Sequence, residues 1–219
     1  MPHSADMTRL IVVRHGYSVN NALRRNTGQS DVPLSPLGYA QAERIADYLL
    51  ENEQIDAIYA SDLCRAVDTV KPTADRLGLP VMTDPALRET DVGEWTGMVY
   101  EEAVARYPDI HARRKIDPTC HCPAGECDVE VFDRVSAALA RLLEKHEGGC
   151  FVIATHAFPV RVIDAIAAGK TVFDMDRRSF IPNAAIRIYT YRNGTLSSEG
   201  DPIVSHLESL DVTPSSKSV

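Results

Sequence analysis

The chain has 219 residues, of which 44% are hydrophobic and 25% charged, a balance typical of a globular protein with a substantial core. Its formal net charge of −8 argues against non-specific binding to nucleic acid or to an anionic membrane, yet leaves room for a local basic pocket. No apolar run reaches the length of a membrane span, and the opening stretch MPHSADMTRL lacks the apolar region of a signal peptide. The five cysteines are odd in number and scattered, which favours reduced thiols. We therefore expect a cytoplasmic protein.

Strands and helices are predicted to alternate along the chain. In chain order, the apolar pattern predicts a strand at 10–13, a helix at 35–53, a strand at 55–61, a helix at 62–79, a strand at 80–84, a helical segment at 98–114, a helix at 129–149, a strand at 150–155 and a helix at 158–168. Ser35 is the predicted cap of the first helix, Pro72 is expected to bend or divide the second, and Pro108 interrupts the third. A hairpin is predicted over 184–198, with its turn at Asn193-Gly194.

This alternation is typical of a three-layer α/β/α sandwich with a mainly parallel central sheet, which is the fold class that we predict. No repeat or internal linker divides the chain, so we expect one domain over residues 1–207. The polar stretch ESLDVTPSSKSV at the C-terminus predicts a flexible tail over residues 208–219.

Two histidines follow two of the predicted buried strands. Arg14, His15 and Gly16 come directly after the strand at 10–13, and His156 comes directly after the strand at 150–155. Because ligands bind at the carboxyl ends of parallel strands, both histidines are expected at the ligand-binding edge of the sheet. One such histidine is more often structural, but two of them beside an arginine indicate a catalytic site.

Several segments, in order, resemble one family. These segments are RHGYSVNN, TGQSDVPLSPLGYAQA, YASDLCRAVDTV, LRETDVGEWTG, ATHAFPVRVI and PNAAI, and they extend from residue 9 to about residue 190. Together they are similar to the histidine phosphatase superfamily, the phosphoglycerate-mutase-like proteins. A single Arg-His-Gly tripeptide is weak evidence, whereas the ordered set is strong.

The resemblance implies a role for individual residues. His15 matches the family nucleophile, which becomes a phosphohistidine, and Glu89 matches the carboxylate that protonates the leaving oxygen and then assists the attacking water. The remaining catalytic residues are those that hold the phosphoryl group: Arg14, Arg65 and His156. The substrate-binding residues that we expect are Gly16, Asn21, Thr27, Gly28 and Ala157. Taken alone, Arg65 and Glu89 would be read as surface residues and Asn21 as a helix cap.

The chemistry of phosphoryl transfer explains these residue types. Negative charge on three equatorial oxygens must be neutralised, and two guanidinium groups with an imidazole can do this in place of a metal ion. A neutral imidazole is a nucleophile near pH 7, and a backbone carbonyl can fix its tautomer. Gly16 is expected to let the chain turn sharply and bring backbone N–H groups to the phosphate. We therefore expect no metal and no cofactor.

Two residues depart from the family pattern. Tyr17 stands where glutamate or glutamine is usual, and Ala157 stands where glycine follows the second histidine. The methyl group of Ala157 is tolerable if its backbone φ is negative. Neither change removes a charged catalytic group, so both bear on substrate placement.

Other phosphate chemistries do not fit the sequence. No cysteine is followed by an arginine at the Cys-x5-Arg spacing of cysteine phosphatases, and no Gly-rich loop with Gly-Lys-Ser/Thr is present. The stretch TVFDMDRR imitates an aspartyl-phosphate loop, but Arg178 replaces the expected Thr or Val, so Asp174 and Asp176 are interpreted as loop carboxylates.

The stretch TCHCPAGEC contains four potential metal ligands, Cys120, His121, Cys122 and Cys127. Its Cys-x-Cys-x4-Cys spacing is not a usual zinc framework, and no second ligand pair follows, so we favour a loop without metal. By the resemblance, PAGEC matches the Pro-x-Gly-Glu-Ser stretch of the family, with Cys127 in place of serine. It then belongs to a lid-like insertion around residues 98–128 that sets specificity.

The predicted function is that of a phosphomonoesterase acting on a small phosphorylated metabolite. The segment between Glu89 and His156 is shorter than the corresponding segment of phosphoglycerate mutases, which carries a lid insertion. The stretch TDVGEWTG is similar to the sequence of the phosphatase branch at this point. The alternatives are a phosphoglycerate-mutase-type phosphotransferase and a non-catalytic phosphate-binding regulatory protein. The substrate stays open among sugar phosphates, phosphoglycerate, α-ribazole phosphate and nucleotide-derived monoesters, and the sequence does not predict the oligomeric state.

Overall fold

The computed structural model describes residues 7–208 and 210; apart from residues 208 and 210, the predicted tail lies outside the described residues. In this part of the chain, six strands form one mixed sheet: β1 (Thr8–Arg14), β2 (Ala57–Ala60), β3 (Val81–Thr83), β4 (Cys150–Thr155), β5 (Ile186–Arg192) and β6 (Thr195–Ser198). Their order is β3-β2-β4-β1-β5-β6, in which the first four strands are parallel, β5 is antiparallel to β1, and β6 is antiparallel to β5. The mainly parallel sheet is confirmed.

Seven α-helices accompany the sheet in the described residues: α1 (Val19–Ala22), α2 (Pro36–Asn52), α3 (Cys64–Leu77), α4 (Tyr100–Arg106), α5 (Pro108–Arg114), α6 (Asp128–Lys145) and α7 (Ala157–Ala167). Along β1, alternate residues face opposite sides of the sheet. Ile11 packs with apolar residues of α2 and α3, and Leu10 packs with those of α6 and α7. The molecule is therefore the predicted three-layer sandwich. None of the helices described is both long and apolar enough to span a membrane.

Turn and cap residues fix the ends of several elements as predicted. Ser35 precedes α2, and its hydroxyl accepts a hydrogen bond from the Gly38 N–H. Pro108 is the first residue of α5, where its missing N–H costs no helical hydrogen bond. Asn193 and Gly194 both have positive φ, at 51° and 77°, as the tight turn between β5 and β6 requires.

Pro72 does not divide the second long helix, because α3 runs without a break from Cys64 to Leu77. A proline inside a helix removes one backbone hydrogen bond. The turns on both sides of Pro72 are held against the sheet, since Val70 and Ala74 are both buried in the core. Packing therefore keeps the helix undivided. The short α1 and the 3₁₀ helices Pro85–Leu87 and Gly93–Trp95 were not predicted, because they are too short to show a hydrophobic period.

The register of the sheet places the two histidines together. Arg14 on β1 pairs with Thr155 on the neighbouring parallel strand β4, so the next residues, His15 and His156, leave the sheet at the same edge. Strand β2 ends at that edge too, and α3 begins shortly afterwards, with Arg65 in its first turn. One edge of the sheet thus collects the predicted catalytic residues.

Candidate active site

His15 and His156 lie side by side below the surface. Their ring centroids are 5.1 Å apart, and the side chains are almost wholly buried. The Nδ1 of His15 is 2.7 Å from the carbonyl oxygen of Gly16. A carbonyl oxygen only accepts, so Nδ1 carries the proton and donates it. In the neutral ring, the lone pair is then on Nε2, which is the nitrogen available as a nucleophile.

The surroundings of both histidines favour the neutral ring. Burial, followed by the charges of Arg65 and Arg14, lowers the pKa of His15 well below its usual value. Burial also lowers the pKa of His156, with Arg65 and then His15 as the next causes. Both imidazoles are therefore uncharged at neutral pH, as a nucleophile requires. Neither ring nitrogen of His156 has a hydrogen-bond partner among the described residues.

Arg14 and Arg65 are buried cations that no carboxylate neutralises through an ion pair in the described part of the chain. An Nη of Arg14 donates to the Ile181 carbonyl, and Arg65 donates to the carbonyls of Ser30 and Gly28 at 2.7 and 2.8 Å. The Nε of each has no partner there. Burial lowers the pKa of Arg14 to about 10, against the opposing effect of Glu89, so the group stays charged at neutral pH. Uncompensated buried guanidinium groups of this kind are suited to bind an anion.

Glu89 connects this edge of the sheet with the first turn of α7. Its carboxylate accepts hydrogen bonds from the backbone N–H groups of Thr90, Ala157 and Phe158, at 2.9, 3.1 and 3.3 Å. Backbone donors at a helix N-terminus hold a carboxylate in a defined place. Glu89 is thereby fixed on the wall of the cavity that His15 also lines.

A cavity of about 480 Å³ opens at this edge of the sheet. Its wall contains most of the predicted site residues: Arg14, His15, Asn21, Thr27, Gly28, Arg65, Glu89 and Ala157. Two of the predicted residues do not line it. His156 lies beside His15, with its ring centroid 5.1 Å away, and the Gly16 N–H donates to Thr69. The structure therefore brings nearly the whole predicted set to one cavity.

Gly16 does not line the cavity, and its surroundings give a reason for the glycine that was not predicted. Its N–H donates to the Thr69 hydroxyl at 2.9 Å. A Cβ at this position would lie 2.8 Å from the carbonyl oxygen of Gly38, on α2. The loop after β1 therefore packs too closely against the backbone of α2 for a larger residue. That the turn at Gly16 brings backbone N–H groups to the phosphate stays a prediction.

Asn21 both caps α1 and lines the cavity, so the helix cap and the position at the site are not alternatives. Its Oδ1 accepts from the backbone N–H of Ser18 at 3.0 Å, which caps α1, and from the Nδ2 of Asn183 at 3.2 Å. It also lies on the cavity wall. Asn183, which was not predicted, additionally donates to the carbonyl of His15 at 3.1 Å and so holds the loop that carries the nucleophile.

The two departures from the family pattern fit without strain. Ala157 is the first residue of α7 and is not among the residues with positive φ, so its methyl group is tolerated as predicted. Its N–H remains free to bind Glu89. Tyr17 lies off the cavity wall, where its hydroxyl donates to the Asn21 carbonyl at 3.2 Å.

The outer part of the cavity is strongly basic, which the sequence did not reveal. Its residues come from segment 98–128, from α7 and from the loop after α7, and the cations among them are Arg114, Lys115, Arg161, Arg177 and Arg178. Asp128 neutralises part of this charge, with ion pairs of 2.6 Å to Arg114 and 3.0 Å to Arg177. No single segment carries the signal, because the cations meet only in the folded chain.

Three of these cations have no ion pair with a carboxylate among the described residues: Lys115, Arg161 and Arg178. The Nε and an Nη of Arg161, which is mostly buried, donate to the carbonyls of Ser179 and Arg177 at 2.8 and 3.1 Å. An Nη of Arg178 donates to the Lys115 carbonyl at 3.0 Å. The outer cavity thus keeps positive charge beyond that of the inner arginines.

The family model of the histidine phosphatase superfamily (branch 1) matches residues 10–200. Among curated proteins, the chain is 34% identical over 209 residues to phosphoglycerate mutase-like protein 4 of Arabidopsis thaliana, which covers 93% of this chain and 88% of that protein. It is 30% identical over 214 residues to the metal-independent phosphoserine phosphatase of the same plant, covering 94% of this chain and 86% of that protein.

A solved structure of mycobacterial glucosyl-3-phosphoglycerate phosphatase superposes with a TM-score of 0.80 at 28% identity, over 88% of this chain and 97% of that one. Some relatives are longer proteins. The chain spans 44% of the length of a bifunctional protein of Mycobacterium tuberculosis, to which it is 34% identical over 160 residues.

Proposed function

The chain belongs to the histidine phosphatase superfamily, and from this premise we propose that it is a phosphatase that hydrolyses a small phosphorylated metabolite through a phosphohistidine on His15. The observation that carries the proposal is the pair of neutral, buried histidines beside two buried arginines without carboxylate partners. An anionic phosphoryl group supplies the charge that these arginines lack, and His15 supplies the nucleophile.

In the first step, the Nε2 lone pair of His15 attacks phosphorus, and the bond from phosphorus to the leaving oxygen breaks. Arg14 and Arg65 neutralise the charge on the equatorial oxygens, and His156 donates a hydrogen bond to one of them. The substrate enters as a monoanion, and the Glu89 carboxylate takes its remaining proton and passes it to the leaving alcohol, so that Glu89 is again a carboxylate. The products of this step are the alcohol and a phosphoenzyme.

In the second step, water attacks the phosphorus of the phosphohistidine. The Glu89 carboxylate takes the proton from that water, the bond between nitrogen and phosphorus breaks, and the lone pair returns to Nε2. Inorganic phosphate leaves with the proton held by Glu89, and both His15 and Glu89 regain their starting protonation states. The role of Glu89 thus alternates between acid and base, and its hydrogen bonds to α7 hold it in place for both.

The basic outer cavity supports a substrate with a second anionic group. Lys115, Arg161 and Arg178 provide positive charge beyond what one phosphoryl group needs. The names of two relatives, phosphoserine phosphatase and glucosyl-3-phosphoglycerate phosphatase, denote substrates that carry a carboxylate besides the phosphate. We infer that this chain acts on a phosphomonoester of the same kind, with the carboxylate in the outer cavity and segment 98–128 as the lid over it.

A screen of phosphorylated metabolites for release of inorganic phosphate tests this function. The proposal predicts turnover of carboxylate-bearing monoesters by the wild-type chain and none by His15→Ala. His146→Asn is the matched control, since His146 lies outside the cavity. Turnover in His15→Ala contradicts the proposed nucleophile. Tight phosphate binding without turnover of any ester supports the alternative of a regulatory phosphate-binding protein.

A further inference from the structure

Three potential metal ligands of different types meet at the start of α6. The ligand atoms of His121, Cys127 and Glu130 all lie within 4.8 Å of one another. The His121 Nε2 and the Glu130 Oε2 are 3.2 Å apart. We propose that these three side chains bind a zinc ion, with water as the fourth ligand, at a site separate from the catalytic cavity.

The donor set suits zinc, and the separation of two of its three ligand atoms is already that of a zinc site. Zinc binds thiolate sulfur at about 2.3 Å and imidazole or carboxylate atoms at roughly 2.0–2.2 Å, in a tetrahedron. Nitrogen and oxygen ligands on such an ion are about 3.3 Å apart, close to the separation already present between His121 and Glu130. The thiolate of Cys127 and the carboxylate of Glu130 together balance the charge of Zn²⁺, and the thiol proton is released on binding.

The local backbone already holds the ligands in place. Glu130 is in the first turn of α6, and its Oε2 accepts the N–H of Cys127, the residue before the helix, at 2.9 Å. A tight turn returns the chain toward this helix: the Cys122 N–H donates to the Glu126 carbonyl at 3.1 Å, and the Gly125 N–H to the Cys122 carbonyl at 2.9 Å. Zinc binding would therefore order little additional backbone, so its cost in conformational entropy would be small.

The three ligands are accessible to an ion from solvent but lie off the catalytic wall. The His121 and Glu130 side chains are about half exposed, at 56% and 52%, and Cys127 is buried beneath them. None of the three lines the cavity, although their neighbours Cys122 and Asp128 do. The zinc would tie the outer wall of the cavity to α6 without taking part in phosphoryl transfer.

The stretch TCHCPAGEC contains two of the three ligands, His121 and Cys127, whereas Glu130 lies beyond it, and for that reason the sequence alone favoured a loop without metal. Its other two potential ligands, Cys120 and Cys122, do not belong to the group. The third ligand, Glu130, is the helix residue that bonds the Cys127 N–H. A cap residue with a thiol side chain turns a common capping arrangement into a potential metal site.

Titration of the EDTA-stripped full chain with Zn²⁺, in competition with a chromophoric chelator, tests the proposal without using activity. We expect one equivalent of tightly bound zinc. His121→Ala and Glu130→Gln should each weaken binding by about tenfold or more, and Cys127→Ser by more still. In the cobalt-substituted chain, absorption from a thiolate–metal bond should appear and vanish in Cys127→Ser.

Cys64→Ser and His111→Asn are matched controls, because neither residue belongs to the group. Absence of stoichiometric zinc binding, or binding that is unchanged in His121→Ala and Glu130→Gln, overturns the proposal. If Cys127→Ser fails to fold, the two variants at exposed positions decide the matter. Because the readout is metal binding, failure here leaves the proposed phosphatase function untouched, and the reverse holds as well.

Discussion

At the residue scale, a substitution at Glu89 tests the proposed proton transfer separately from the binding of the phosphoryl group. Glu89→Gln keeps the size of the side chain and one of the two oxygens that accept backbone N–H groups, but it removes the transferable proton. An alkyl ester releases a strongly basic alkoxide, so its first step should slow by ~10²-fold or more. An aryl ester such as p-nitrophenyl phosphate releases a stable phenolate and should slow clearly less. Pre-steady-state bursts measure this step alone.

Equal slowing of alkyl and aryl esters in the burst phase would remove Glu89 from the role of acid. Slowing confined to the later, steady-state phase would leave it only the role of base. The control is Glu94→Gln, because Glu94 lies five residues further along the chain, is exposed and does not line the cavity.

The buried histidines make a second prediction, which concerns stability. Folding lowers the pKa of both His15 and His156 below the unfolded value of about 6.5. Neutral histidines therefore stabilise the fold above that pH, and this contribution is lost as the pH falls further, because the unfolded chain binds the extra protons. Replacing His156 by Asn should reduce the pH slope of the unfolding free energy below pH 6.5 by up to about 1.4 kcal/mol per pH unit.

Urea unfolding of wild-type and His156→Asn chains between pH 7 and pH 5 measures this slope. The same slope in both chains would mean that His156 titrates normally in the folded state.

At the scale of elements, the loop after β1 depends on its contact with α2. Gly16→Ala would place a Cβ 2.8 Å from the carbonyl oxygen of Gly38, and backbone cannot move aside as a side chain can. We expect a loss of about 1–3 kcal/mol in unfolding free energy and a lower phosphorylation rate, because His15 is the adjacent residue. Chemical unfolding and burst kinetics measure the two effects. A stability within error of the wild type would show that the loop relaxes freely.

The loop after α7 and the end of α5 supply the proposed second anion site. Lys115→Gln and Arg178→Gln should raise KM for carboxylate-bearing phosphomonoesters by ~10-fold while leaving p-nitrophenyl phosphate almost unchanged. The control is Arg113→Gln, an exposed neighbour that pairs with Asp117 and does not line the cavity. Equal effects on both substrates would indicate a general loss of structure instead of a lost contact with the carboxylate.

The same elements show which parts of the fold and of the site could be predicted from the sequence. The strands at 10–13 and 150–155 were predicted from their apolar runs, and parallel pairing then sufficed to place His15 beside His156. The outer cavity was not predictable in this way. Lys115, Arg161 and Arg178 lie on three separate segments, so no local period or spacing joins them before the chain folds. The close contact of Gly16 with α2 was not predictable either, because it joins two separate segments of the chain.

At the scale of the whole molecule, charge is unevenly distributed. The chain has a net charge of −8, yet most of the charged side chains that line its cavity are cations. Such a cavity attracts small anions while the outer surface repels large ones, and salt screens both effects over about 10 Å at 0.1 M. The arrangement fits a small phosphorylated metabolite better than a nucleic acid.

Activity and metal content should separate in the whole protein. In the proposed mechanism, Arg14 and Arg65 supply the charge that a catalytic metal would bring and neutral His156 adds a hydrogen-bond donor, so exhaustive EDTA treatment should leave phosphatase activity intact. If zinc binds at Cys127, its removal should lower the melting temperature instead, because an ion bound only to the folded state stabilises it. Loss of activity on chelation that zinc restores would place a metal in the reaction itself. Activity assays and thermal melts on the same samples make the comparison.

The most direct test of the mechanism is to trap the phosphoenzyme. Mixing the chain with a phosphoryl-labelled substrate and quenching in alkali should give an acid-labile label on His15, retained in His146→Asn and absent in His15→Ala. The trapped species should discharge faster to water than to added phosphoglycerate, as a phosphatase requires. Label on Ser18 or Cys64 would contradict the account of the nucleophile, and faster discharge to phosphoglycerate would make the protein a mutase.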